Sequence, residues 1–182
     1  SKTRNRPFFV YLPTNAPHGP FHDVPQEEYD YYKSLNLAND QFPQNQGHAL
    51  PENANLDKRA RIFAMIDNID QNIGKLKNSL EALELLEDTL IIFMVDNGPN
   101  GRRYVSGFQG SKSHVHEGGI KSPLLMHWPN RLKAGARSDK VVAHIDITPT
   151  ILDACGVTDR KVWDQFDGRS FLPLLDGRNR QW

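Results

Sequence analysis

Asp96 and Asn97 stand side by side after the apolar run Leu90-Ile91-Ile92-Phe93-Met94-Val95 and before Gly98-Pro99. A carboxylate next to an amide oxygen suits a hard cation, Ca²⁺ or Mg²⁺, better than a thiolate-seeking metal. Open α/β sheets keep their ligands at the C-terminal ends of strands, which is where this pair would lie. The same four residues also suit a plain turn. His18 sits in Pro13-Thr14-Asn15-Ala16-Pro17-His18-Gly19-Pro20, where three prolines fix the backbone that aims its imidazole. It could hydrogen-bond an anionic oxygen or pass a proton near neutral pH, or be a surface histidine; His22, in less rigid surroundings, reads as surface. Lys112 ends the run Gly107-Phe108-Gln109-Gly110-Ser111-Lys112 and precedes Glu117-Gly118-Gly119. Glycines let backbone approach a ligand and an ammonium neutralises an oxyanion, against the default of a solvated lysine. His114 and His116 share one face if their segment is extended, a hint of metal or substrate contact that falls short of a zinc site.

The elements that must position these groups follow from apolar spacing. Phe8-Phe9-Val10-Tyr11-Leu12, closed by Pro13, reads as a buried strand that delivers the His18 loop. Residues 34–53 are rich in Asn, Gln and Pro and read as an exposed excursion. Ile62, Ile66, Ile69, Ile73, Leu76, Leu80 and Leu83 recur at steps of four and three, which predicts a one-faced helix from about Asp57 to Glu87. The all-apolar run 90–95 then reads as a central strand, and a long one-faced helix feeding such a strand is the pattern of an α/β layer, with the helix covering a sheet buried on both faces. Residues 123–128 are a third strand candidate and Val141-Val142-Ala143 a short fourth. Thr148-Pro149 at the start and Gly156 past the end punctuate a short helix, with Thr148 as its N-cap.

Composition bounds the function. With 182 residues, 38% hydrophobic and 24% charged, the chain suits one globular domain. Lys plus Arg and Asp plus Glu both number 22, so no broad attraction to nucleic acid or acidic membrane is implied. One cysteine, Cys155, excludes an intrachain disulfide framework and reads as a small buried hydrophobe. No apolar run is long enough to span a bilayer, and no signal peptide is visible. A chain that opens almost on a buried strand is expected to start inside a larger domain.

In this order and spacing, the pieces resemble the sulfatases of the alkaline phosphatase superfamily. The matching stretches are Phe8–Leu12 leading to Ala16-Pro17-His18-Gly19-Pro20, Val95-Asp96-Asn97-Gly98, Gly110-Ser111-Lys112 with Glu117-Gly118-Gly119-Ile120, Pro123–Pro129, Asp146-Ile147-Thr148-Pro149-Thr150-Ile151-Leu152, and Asp167-Gly168-Arg169-Ser170-Phe171-Leu172-Pro173-Leu174-Leu175. The resemblance implies a partial alkaline phosphatase-like α/β layered sheet with flanking helices. Residues 1–182 would be the C-terminal portion of one incomplete catalytic domain, with a small C-terminal subdomain beginning near Trp182. It implies that Asp96 and Asn97 are half of a Ca²⁺ site (Mg²⁺ being the alternative), that His18 contacts the sulfate or its leaving oxygen, and that Lys112 binds the sulfate. His114 and His116 would border the substrate, and Glu117-Gly118-Gly119 would shape the loop that carries Lys112.

The family's nucleophile is a formylglycine made in a Cys-x-Pro-Ser-Arg type motif, and this sequence holds no such motif. The expectation is therefore a sulfuric ester hydrolase whose nucleophile, partner aspartates and further lysine and histidine lie in another segment, the fragment alone being inactive. Ser113 and His116 depart from the glycine and aromatic residue common at their positions, both beside the substrate. The expected partner is a sulfated small molecule or glycan, the expected location of the parent periplasmic or extracellular, and exposed core would make the fragment self-associate. Competing readings are a phosphodiesterase or phosphonate monoester hydrolase of the same superfamily, and a non-catalytic remnant that binds a sulfated ligand.

Overall fold

The computed structural model describes residues 6–176, so the reading of a subdomain start near Trp182 falls outside the described residues. The contacts of these residues group into two compact units, one of residues 6–79 with 94–124 and one of residues 80–93 with 125–176.

The first unit is built on two helices, α1 (Gln26–Ser34) and α2 (Leu56–Ala82). Asn55 starts α2, its Oδ1 accepting the Lys58 N–H at 2.8 Å. The helix stops about five residues before the predicted end. Glu84 takes a left-handed φ of 59°, and the N–H groups of Glu84 and Leu85 bond back to Glu81 O at 2.9 Å and Leu80 O at 2.8 Å. That double bond pattern satisfies the last carbonyls and breaks the ladder. The buried face of α2 also differs from the predicted stripe. Ile62 and Leu80 are buried, but Ile66, Leu76 and Leu83 are 45%, 36% and 52% exposed. Burial runs instead through Ala60, Ile62, Ala64 and Met65, because the two alanines leave room for α1 to seat Tyr29 against them, with Val24, Tyr32 and Leu37 around it.

Two strands form the sheet, β1 (Ile91–Met94) and β2 (Leu124–His127). The Val95 N–H donates to Pro123 O at 3.2 Å, which sets the end of β1 beside the start of β2 and makes the pair antiparallel. The Ser122 hydroxyl caps the same corner, donating to Val95 O at 2.6 Å. Neither strand is buried on both faces: Met94 and Leu125 are exposed, 43% and 63%, and the other strand residues half-buried. Two further strand expectations fail. Phe8–Leu12 is extended but unpaired, and its five side chains are 55–78% exposed, since no strand among the described residues lies beside it. Val141–Ala143 is likewise no strand, and Val141 is 86% exposed.

The second unit centres on α4 (Ile147–Ala154); α3 (Glu117–Ile120) belongs to the first. A 3₁₀ turn, His144–Asp146, runs into α4, so the helix begins upstream of Thr148 and Pro149 is its third residue. Asp146, not Thr148, holds the boundary: its carboxylate accepts the Ala143 N–H at 2.8 Å and the Arg169 N–H at 2.9 Å. Gly156 ends the helix as expected, with Val157 N–H returning to Leu152 O at 3.0 Å. Cys155, however, is the residue that ends α4 and is exposed there, not the buried hydrophobe expected. The core here is Thr150, Pro149, Phe171 and Leu172, the last opening the short α5 (Leu172–Leu175). The Thr150 hydroxyl donates to Asp146 O at 2.7 Å and accepts the Phe171 N–H at 3.1 Å.

Candidate functional site

The turn after β1 and the loop before α3 are tied together by main-chain bonds. Gly98 N–H donates to Gly119 O at 2.9 Å, Lys112 N–H to Pro99 O at 2.9 Å, and Gly118 N–H to Gln109 O at 2.8 Å. Gly98 allows this approach, because a Cβ there would strike the carbonyl of Gly118. Gly118 and Gly119 are buried, so Glu117-Gly118-Gly119 packs as the loop's architecture, as expected. Asp96 and Asn97 therefore share a knot with Lys112.

Within it Asp96 is exposed and Asn97 half-buried, the Asn97 amide donating to Asp96 Oδ1 at 3.0 Å and Gly98 O at 3.2 Å. Lys112 is half-buried, and among the described residues no carboxylate comes within ion-pair distance of it. His114 and His116 do not lie on an extended segment, which corrects the alternating-face reading. His114 N–H closes a turn onto Ser111 O at 3.0 Å, Ser113 has φ 73°, and His116 leads into α3. The turn nevertheless gathers both histidines around Gly110 (φ 94°), where a Cβ would come within 2.9 Å of His116 Cβ and 3.3 Å of His114 Cβ. His114 Nδ1 lies 3.1 Å from the Ser111 hydroxyl, so one ring nitrogen is engaged locally.

His18 stands apart from these bonds. Its N–H donates to Asn15 O at 2.9 Å and its Nδ1 lies 2.9 Å from Gly19 O, which leaves Nε2 as the atom presented from an exposed ring. The Ala16–Pro17 and Gly19–Pro20 peptide bonds on either side are cis. No hydrogen bond among the described residues joins this loop to the knot.

One residue escaped the sequence reading. His48, in the polar excursion, accepts the Gly110 N–H on Nδ1 at 3.2 Å, while its Nε2 is buried without a partner. Phe42 stacks on Tyr104 with centroids 4.9 Å apart and planes 12° from parallel, so the excursion braces the loop that carries Lys112. Nothing in composition marks that contact, which joins positions 62 residues apart.

Among the described residues no group of three or more His, Cys, Asp or Glu is placed to hold a metal. Asp96 and Asn97 offer hard oxygen donors, the right chemistry for Ca²⁺ but two of the six to eight ligands it takes.

Comparison with known proteins identifies the family. The family model for sulfatases matches residues 1–157. The uncharacterized sulfatase YdeN of Escherichia coli (strain K12) is 31% identical over 183 residues, 99% of this chain and 29% of its own length. The N-acetylglucosamine-6-sulfatase of Bos taurus is 31% identical over 195 residues, 100% of this chain and 34% of its own. The solved structure of Ps i-CgsB in complex with k-i-k-neocarrahexaose superposes with a TM-score of 0.70 at 28% identity, over 94% of this chain and 34% of that one. The chain thus spans about a third of the length of the relatives it matches, and its architecture is a partial version of their α/β, alkaline phosphatase-like fold. This chain belongs to the sulfatase family.

Proposed function

We propose that these residues form the cation- and sulfate-binding part of a sulfuric ester hydrolase, one incomplete catalytic domain whose nucleophile, a formylglycine, lies outside the 182 residues. The observation that carries the reading is the knot that ties the Asp96–Asn97 turn to the Lys112 loop, within a chain of the sulfatase family. An oxygen pair and an ammonium sharing one backbone scaffold suit a cation and a tetrahedral anion bound side by side.

Sulfate-ester cleavage builds negative charge on the leaving oxygen while the sulfuryl group keeps its own, so fixed positive charge and donors must stand where that charge appears. Lys112, with no competing carboxylate, holds a sulfate oxygen. With Nδ1–H donating to Gly19 O, the doubly protonated His18 ring presents Nε2–H to the leaving oxygen, a role worth roughly 10²–10⁴ in rate for well-placed acids. Asp96 and Asn97 hold the cation, Ca²⁺ or Mg²⁺. When bound, that cation screens the anion and lowers the nucleophile's pKa. His114 and His116, around Gly110, border the substrate on the Lys112 side. On its own, the chain binds but does not turn over.

The substrate is a sulfated small molecule or glycan; the relative named N-acetylglucosamine-6-sulfatase and the neighbour solved with k-i-k-neocarrahexaose are consistent with the glycan alternative. A sulfated polysaccharide is met outside the cytoplasm, which favours a periplasmic or extracellular site of action. No helix among the described residues is long and apolar enough to cross a membrane.

The test has two arms. In the sulfatase-active polypeptide that carries these residues, Lys112→Ala lowers kcat/KM by at least about tenfold, since it removes a charge-assisted contact; near-wild-type kinetics would exclude the assignment. Asp96→Ala abolishes both activity and Ca²⁺-dependent thermal stabilisation. An unchanged metal response would move the cation elsewhere. Mass spectrometry of that polypeptide for formylglycine separates a sulfatase from a phosphodiesterase of the same superfamily.

A further inference from the structure

At the N-terminal end of α2 a cleft of about 160 Å³ is lined by Lys58, Arg59, Arg102 and Arg103, together with Asn53 and Asn55, and by no aspartate or glutamate. Arg59 is 9% exposed, and its guanidinium donates only to neutral acceptors, Leu37 O and Asn39 Oδ1, the latter at 2.8 Å. Arg103 donates to Asn100 O at 2.7 Å. Among the described residues none of these cations enters an ion pair. Burial pushes both Arg59 and Arg103 below the ordinary arginine range, and the charge of Arg59 depresses Arg103 further. A buried and a half-buried guanidinium thus stand within each other's field, and among the described residues neither has a counterion. Buried charges are normally paired, and an unpaired like-charged pair persists where an anion completes it. The N-terminal dipole of α2 adds to the same field.

We infer that this cleft is a second oxyanion site, which takes a further sulfate or carboxylate group of the substrate. Guanidinium forks match the paired oxygens of either group. The cleft wall begins at Asn100, three residues after Asn97, and three residues of chain span at most roughly 11 Å. In this proposal an ester bound at the Lys112 knot extends a neighbouring anionic substituent toward the cleft. The anion site stands on the cleft alone; its role toward substrate rests on the sulfatase reading.

The experiment titrates the 182-residue protein carrying Lys112→Ala, which removes the proposed primary sulfate contact, with sodium sulfate and in parallel sodium acetate at constant ionic strength. Backbone amides are followed by ¹H–¹⁵N NMR. Saturable shifts at Gly101, Arg102 and Arg103 are expected, weakened at least about tenfold in Arg103→Gln and also in the exposed Arg102→Gln, whose spectrum reports whether the fold survives. Saturation by sulfate alone assigns a sulfate reader, and by acetate alone a carboxylate reader. Shifts that follow chloride as well, or that survive both substitutions, overturn the site. In the sulfatase-active polypeptide, Arg102→Gln lowers kcat/KM at least about tenfold for a disaccharide bearing two anionic groups and leaves 4-nitrophenyl sulfate within about twofold. Equal losses on both substrates overturn the substrate role. Full activity in Lys112→Ala would sink the sulfatase reading while leaving the anion titration standing.

Discussion

Gly98 and Gly74 make a matched pair for testing the architecture of the site. Both become alanine, yet the two substitutions meet opposite surroundings. A Cβ on Gly98 collides with the Gly118 carbonyl and crowds Gly119 Cα at 3.0 Å, all of it backbone that cannot rotate away. The Gly98–Gly119 hydrogen bond at 2.9 Å must lengthen as the loop retreats. Losing that bond costs about 0.5–1.5 kcal/mol, and overpacking a tight contact about 1–3 kcal/mol, so Gly98→Ala destabilises by roughly 2–4 kcal/mol. Gly74 lies inside α2 with nothing within 4 Å of its Cβ position. Alanine there gains helix propensity and stabilises by about 0.5–1 kcal/mol. Urea denaturation reads both: with m near ~2 kcal/mol/M, the midpoint falls by about 1–2 M for Gly98→Ala and rises by about 0.3–0.5 M for Gly74→Ala. An unshifted midpoint for Gly98→Ala would refute the claim that the Asp96–Asn97 turn and the Lys112 loop are locked together.

The other expectations concern single contacts. Thr150→Val keeps the shape of a fully buried side chain but strands the Phe171 N–H, and a loss of about 1–3 kcal/mol is expected by thermal unfolding. A loss under about 0.5 kcal/mol would mean that water or a shifted backbone serves that donor. His48→Ala frees the Gly110 N–H and loosens the Lys112 loop, whereas His48→Asn, which keeps an acceptor, restores part of its amide-exchange protection; equal protection in both variants would leave the contact without a role. The Arg61 guanidinium and then the Tyr29 hydroxyl hold the Asp57 carboxyl below its ordinary value of 3.8. A depressed carboxyl contributes stability that is present above the unfolded value and fades as pH falls through the folded one, so Asp57→Asn flattens the acid limb of the stability curve below about pH 4 and leaves it parallel above. An unchanged acid slope would show the pair to be inert.

The parts of the fold that were legible in the sequence are those decided locally. α2, β1, β2 and the Gly156 stop rest on spacing, apolar runs and backbone chemistry, and the structure forms all of them within a few residues. The failures share one cause, which is burial that depends on distant cover. Phe8–Leu12 has the composition of a core strand, and Ile66, Leu76 and Leu83 have the spacing of a covered stripe, yet both lie open. A strand needs a neighbour to pair with, and a stripe needs a layer to face. Tyr29 took the α2 face where alanines let it approach, a packing choice that a period cannot express.

The candidate site divides along the same line. Asp96, Asn97 and Lys112 could be named from residue types and order, but what joins them is a set of main-chain bonds through Gly98, Pro99 and Gly119, which residue types do not encode. His48 was invisible because its function in the loop is a contact across 62 residues, inside a segment whose Asn, Gln and Pro content argues for solvent. The arginine cleft was missed for the opposite reason. No spacing or motif marks Arg102 and Arg103 in the sequence; only the fold gathers them into one cleft with Arg59 and no lining carboxylate. A net charge of zero concealed it, since none of the 22 acids that balance the 22 bases lines the cleft. Charge that governs binding in this molecule is a matter of local arrangement, and it becomes visible where desolvation makes an unpaired cation costly.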